Sequence, residues 1–224
     1  MRNRLLLLLL LSLLQFVLGA LPEGAIPAFA ASEYLIWVDL ASLSLTLYQG
    51  QRQIGRWPIA AGTSATPTPL GVFRINRRFM PDPSGFGTRF LGLNVPWGQY
   101  GIHGTNRPGS IGSHASHGCI RMFNRDVEQL YKLAPNWTRV VIEGGPYGGL
   151  GMSLPTIRPK DRGSQVLAAQ QRLMALGYYD GGLDGIYGQG VSAALKRLKA
   201  DRGLPWEDVI DPATWEAMGV LLFE

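Results

Sequence analysis

The sequence predicts a multidomain chain: a mainly-β, β-sandwich-like domain over residues 33–143, and a small all-α three-helix bundle over 164–220. Three observations lead there. Short apolar runs broken by turn residues fill the first region. A stretch rich in Gly and Pro, "GGPYGGLGMSLPTIRPKDRG" over 144–163, has no periodicity and reads as a linker. Beyond it the apolar residues recur with a helical period.

Taken in order, "MRNRLLLLLLLSLLQFVLGA" shows two arginines, an apolar run and then small residues, the layout of an export signal. The run is short of the roughly 20 residues that span a bilayer. It is therefore expected to be a signal peptide over residues 1–30, or 1–20 with the earlier cleavage point; the alternative is an uncleaved anchor, which would be the only contact with a membrane. In the β region "YLIWVDL" is a first strand, and "LTLYQGQRQIGRWPIA" holds two more around a Gln49-Gly50 turn. "VFRI", "RFLGLNV" and "TRVVIEG" follow, separated by the proline-bearing loops at 66–69 and 81–85. One helix is expected here, "NRDVEQLYKLA", with Asn124 as its cap and Val127, Leu130, Tyr131 and Ala134 on one face.

In the second module Val166, Ala169, Gln170, Leu173 and Leu176 share a face, with Ser164 as N-cap and Gly177 as stop. A second helix carries Val191, Ala194, Leu195 and Leu198. A third opens with Asp211 as cap and Pro212 at its first position, and presents Trp215 and Met218. Helices this short are stable only when packed on one another.

The chain has a formal net charge of +5, or +4 without Arg2, Arg4 and Glu23 of the leader. A mildly basic exported protein suits an anionic envelope surface as well as it suits ordinary solubility. No nucleic-acid motif is present. A single cysteine, Cys119, allows no internal disulfide, so it is a buried filler, an intermolecular link or a reactive thiol.

"GSHASHGCIRM" concentrates His114, His117 and Cys119. If 117–119 are extended, His117 and Cys119 point to one face, where an imidazole can lower the thiol pKa. Gly118 between them leaves room for a substrate backbone and can free an N–H for an oxyanion. On local geometry His117 is the base. His103, in "YGIHGT", is the other candidate. Four N/S donors, His103, His114, His117 and Cys119, raise a zinc reading, but the paired ligand spacing of structural zinc sites is missing. No metal and no cofactor is expected.

On "IHGT" at 102–105, "IG" at 111–112 and "SHGCIRM" at 116–122, with "VDL" at 38–40 and "TPTPLGVF" at 66–73, the chain resembles the YkuD-type L,D-transpeptidase catalytic domain. The resemblance implies an envelope enzyme that forms peptidoglycan 3→3 cross-links through a thioester. It makes Cys119 the nucleophile and moves the base to His103, with the Gly104 carbonyl orienting the imidazole. His117, Gly118 and Ser116 become acyl-site and oxyanion surroundings, and Arg121 a holder of a stem-peptide carboxylate or a structural ion-pair residue. His114 stays outside the matched positions, at the rim.

The second module resembles the three-helix peptidoglycan-binding domain, on Ala169-Gln170, "LGYYDGGLDGIYG" at 176–188 and "DPATW" at 211–215. It carries Leu198-Lys199 where that family has an aromatic-Gln pair. The implied partners are peptidoglycan stem peptides and glycan, and the implied location is the periplasm or cell wall. Within the enzyme class an L,D-carboxypeptidase, with water as acceptor, and a transpeptidase attaching proteins to the wall remain as alternatives. Outside it stands a non-catalytic wall-binding protein.

Overall fold

Alternation decides the first strand: Ile36 and Val38 are fully buried while Trp37 between them faces outward. The computed structural model describes residues 33–82, 85–145 and 154–220, so the expected export signal and residues 146–153 of the expected linker lie outside the described residues. Ten strands follow in the order β1 (Tyr34–Asp39), β2 (Ser44–Gln49), β3 (Arg52–Pro58), β4 (Ala61–Gly62) and β5 (Gly71–Phe79), then β6 (Phe90–Leu93), β7 (Tyr100–His103), β8 (His114–Ser116), β9 (Ile120–Arg121) and β10 (Arg139–Glu143).

Eight of them form one sheet in the order β3-β2-β1-β10-β5-β6-β7-β9, and β4 pairs with β8. The pairs β1·β10 and β7·β9 are parallel and the remaining pairs of the large sheet antiparallel. The sheet curls until its two ends meet. Just past edge strand β3, Ala60 exchanges both backbone hydrogen bonds with Arg121 of edge strand β9, each at 2.9 Å. The two halves of this curled sheet supply the facing layers of the sandwich-like expectation, and Leu45, Leu47, Ile75, Leu91 and Ile102 are buried between them.

Helix α1 (Asn124–Leu133) lays Val127 and Leu130 on this core. Its expected cap is not one: Phe123 occupies the cap position, and Asn124 Oδ1 accepts from the Thr88 and Thr105 N–H groups, at 3.2 and 3.1 Å. The side chain ties two loops together instead of closing a helix end, a partnership no local pattern encodes.

The helical region contains α2 (Ser164–Ala175), α3 (Gln189–Asp201) and α4 (Pro212–Ala217). Val166, Ala169, Leu173, Val191, Ala194, Leu195, Leu198 and Trp215 form its buried core. Asp211 caps α4 as expected, accepting from Thr214 N–H at 2.8 Å. Gln170, fully buried, holds the 176–188 loop: its Nε2 donates to Asp184 at 2.7 Å and its Oε1 accepts from Gly185 N–H at 2.8 Å. Lys199 is 2% exposed and donates to the Glu207 carbonyl at 2.9 Å, so it is a structural residue of this module.

Part of the expected linker is core. Ile157 is 2% exposed and pairs with Ile210 through two 2.9 Å backbone bonds, and the Pro155 carbonyl accepts from the Trp215 indole at 3.1 Å. A lone apolar residue between prolines has no periodicity, so its burial could not be read in advance. The two modules also touch. Ser164 does not cap α2, since Gly163 holds that position, and its hydroxyl accepts from the Leu70 N–H at 2.8 Å. Leu167 of α2 is buried in the sheet domain's core cluster.

Gly185 faces Trp97 so closely that a Cβ would lie 2.4 Å from the indole ring, and its φ is +65°. A Gly185→Val substitution therefore meets both a steric block and left-handed backbone, which costs an L-residue about 1–2 kcal/mol. With Leu167 of the helical module buried in the sheet domain's core, urea unfolding of the parent is expected in one transition. Gly185→Val should split it into two, and a single unshifted transition would show that this contact does not couple the modules.

Candidate active site

Strands β7 and β9 run parallel with Ile102 opposite Ile120 and His103 opposite Arg121. Strand side chains alternate, so the inward isoleucines leave His103, Arg121 and, one step back, Cys119 on the other face. Electrostatics agree: a backbone hydrogen bond from Gly101 and the Arg121 charge both act on the Cys119 thiol. Arg121 acts on His103 as well. Sixteen residues of sequence separation vanish in one strand pair.

His103 is 3% exposed. Phe90 stacks on its ring with centroids 5.8 Å apart and an interplanar angle of 9°, and Phe86 meets it edge-on at 5.0 Å. The ring's Nδ1 lies 2.5 Å from the Gly104 carbonyl oxygen. A carbonyl only accepts, so Nδ1 carries the proton, which makes Nε2 the basic nitrogen of the neutral ring. Burial in this aromatic sleeve pushes the imidazole down to about 4, against the opposing pull of the Gly104 bond and with help from the Arg121 charge.

Burial also pushes the Cys119 thiol up, opposed by the Gly101 hydrogen bond and the Arg121 charge. The thiol is free and half-buried. This corrects the expectation of a histidine-lowered thiol: desolvation outweighs the local charges, and the resting pair is a neutral thiol beside a neutral imidazole.

The loop before Cys119 is self-supporting. Ser116, 2% exposed, donates its hydroxyl to the Cys119 carbonyl at 2.5 Å and accepts the Gly118 N–H at 3.1 Å. The Gly118 N–H expected for an oxyanion is thus already used within the loop. What Gly118 supplies is conformation: φ is +107°, and a Cβ would come 2.7 Å from the Tyr100 ring. Arg121 donates to the Ala115 carbonyl at 3.1 Å, and among the described residues it has no carboxylate partner, which removes the ion-pair reading.

His117 is exposed and His114 is exposed with its ring against the Gly62 carbonyl at 3.1 Å. The structure therefore brings together Cys119, His103, Arg121, Gly104, Ser116 and Gly118. It sets His117 on the wall of an adjoining cavity of about 340 Å³. Among the described residues no group of three or more His, Cys, Asp or Glu is placed to hold a metal ion. Sequence reasoning missed Phe86 and Phe90, which desolvate His103, and Tyr100 and Trp97, which line the cavity. Their only signal was aromatic content near "IHGT".

The curled sheet presents a buried imidazole, oriented by a main-chain carbonyl, on the same face as a lone thiol, an arrangement that can support nucleophilic chemistry. Residues 33–142 match the family YkuD, described as "L,D-transpeptidase catalytic domain", and residues 162–218 match the family described as "Putative peptidoglycan binding domain". The chain is 49% identical over 110 residues to the "Putative L,D-transpeptidase YkuD" of Bacillus licheniformis, covering 49% of this chain and 65% of that protein. It is 45% identical over 109 residues to the protein of the same name in Bacillus subtilis strain 168, covering 49% of this chain and 65% of that one. The match thus spans just under two thirds of these relatives. An L,D-transpeptidase structure from Mycobacterium smegmatis aligns over 50% of this chain and 59% of its own, at 22% identity and a TM-score of 0.43.

The His103 shift has a consequence for stability. The native ring binds its proton near 4 and the unfolded one near 6.5, so between those values the unfolded state holds more protons. Stability attributable to this residue is intact above pH 6.5 and falls as the pH drops towards 4, by about 3 kcal/mol in total. Urea unfolding between pH 7 and 4 should show a steeper loss for the parent than for His103→Gln; parallel profiles would refute the buried neutral imidazole.

Proposed function

We propose that the protein is an exported peptidoglycan L,D-transpeptidase that forms 3→3 cross-links between stem peptides through a Cys119 thioester. The observation that carries this reading is the His103 tautomer: Nδ1–H is held by the Gly104 carbonyl, so Nε2 is the basic atom on the face that Cys119 shares. The domain family and its relatives' names point the same way. A peptidoglycan-binding module on the same chain supports peptidoglycan as the partner, and with it a place in the cell wall or periplasm.

In this mechanism the neutral pair reacts by general-base catalysis. His103 Nε2 takes the thiol proton as Cys119 Sγ attacks the carbonyl of the donor's third residue. The Arg121 charge stabilises the thiolate as it forms. The carbonyl then reforms, the bond to the terminal D-alanine nitrogen breaks, and the imidazolium returns its proton to that leaving amine. A side-chain amine of a second stem attacks the thioester, its proton passes through His103, and Cys119 leaves as the thiol. The buried imidazole and thiol shield the thioester from water, which favours the amine as acceptor. Ser116 and Gly118 hold the nucleophile loop, and His117 borders the space where the peptide lies.

Incubation with tetrapeptide stems should release D-alanine, give a dimer and leave an acyl adduct on Cys119, all read by mass spectrometry. Cys119→Ala should abolish all three, and dimer formation by that variant would sink the mechanism. His103→Ala should lower kcat by about 100-fold or more, the size typical of losing a positioned base.

The pH profile carries a separate signature. Because the base charges only near 4, kcat/KM should hold level as the pH falls through 6 and decline only around 4. An acid limb centred near 6.5 would mean that the working base is not the buried His103.

A further inference from the structure

The cavity beside His117 has walls from both modules. From the sheet domain come Thr66, Pro67, Trp97, Tyr100 and His117, and from the segment that opens α2 come Arg162, Gly163, Ser164 and Gln165. The second wall is anchored rather than resting loosely. The Ser164 hydroxyl accepts from Leu70 N–H at 2.8 Å, Leu167 is buried in the sheet core, and Gly185 lies flat against Trp97. Arg162 is exposed, its backbone is pinned by a bridge to Ile186, and its guanidinium makes no ion pair or hydrogen bond among the described residues. The floor is aromatic and proline-rich, and no carboxylate lines the space.

We propose that the helical module is a fixed part of the substrate site: Arg162 and Gln165 contact the peptide in the cavity beside His117, Arg162 through a carboxylate of that peptide. This rests on the peptidoglycan-peptide reading above and deepens it. An extended peptide satisfies the cavity's chemistry, with apolar stems against Trp97 and Tyr100 and an anionic group at the cationic rim. The module then selects the substrate directly, in addition to holding the enzyme near its polymer. Arg162 and Gln165 are specificity residues; neither is among the groups that act on the Cys119 thiol.

The test uses the full-length chain. Binding of a peptidoglycan-derived tetrapeptide is measured by calorimetry in the Cys119→Ala background, where turnover is absent. Adding Arg162→Glu should weaken binding at least tenfold, Arg162→Lys should restore most of it, and Gln165→Trp, which fills the cavity from the helical side, should weaken it comparably. In the chain with Cys119 intact, the same substitutions should leave iodoacetamide labelling of the thiol within twofold of the parent, showing an undisturbed catalytic face. Peptide binding within twofold of the parent in both Arg162→Glu and Gln165→Trp overturns this inference alone. If the parent itself fails to bind the tetrapeptide at millimolar concentration, the substrate reading falls and this inference with it. A loss of labelling together with binding would mean that the module acts by supporting the fold, and would overturn the proposed contact.

Discussion

The parallel pairing of β7 with β9 is the constraint on which the rest depends. It sets His103 opposite Arg121 and thereby brings the Cys119 thiol to the same face as the imidazole. The curl of the sheet adds a second partner on the other side of β9, where Ala60 and Arg121 exchange backbone hydrogen bonds, so the strand is held along both edges.

Desolvation governs the chemistry of the pair. Two phenylalanine rings and the strand backbone strip water from His103, and burial acts on Cys119 in the same sense, against charge. Both groups rest neutral. In the proposed mechanism the site therefore stores no reactive thiolate before substrate arrives. The cost is that the proton must move during attack. The bond from Nδ1 to the Gly104 carbonyl makes this possible by fixing which nitrogen receives it.

The contact between modules shows the same logic at larger scale. Ser164, Leu167 and Gly185 each serve the junction, by a hydroxyl acceptor, a buried side chain and a missing Cβ. None of these roles is the one their local sequence suggests. Ser164 looks like a cap, Leu167 lies off the predicted face of its helix, and Gly185 looks like an ordinary loop glycine.

What the sequence alone determined is whatever repeats or recurs locally. The strand alternation around Ile36 and Val38, the face of α3 and the Asp211 cap were all legible, since each depends on neighbours within a turn or a pleat. So were the candidate site residues, because "IHGT" and "SHGCIRM" carry them as motif. Only the tertiary structure decided how that set is arranged and charged. The resemblance already favoured His103 over His117, but its geometry came only from a strand pair spanning sixteen residues, and the raised pKa of the thiol needed the burial supplied by the fold. The uses of Asn124, Ser164 and Ile157 followed the same rule: a side chain's partner is set by what folds against it, and long-range packing leaves no periodic trace in the chain.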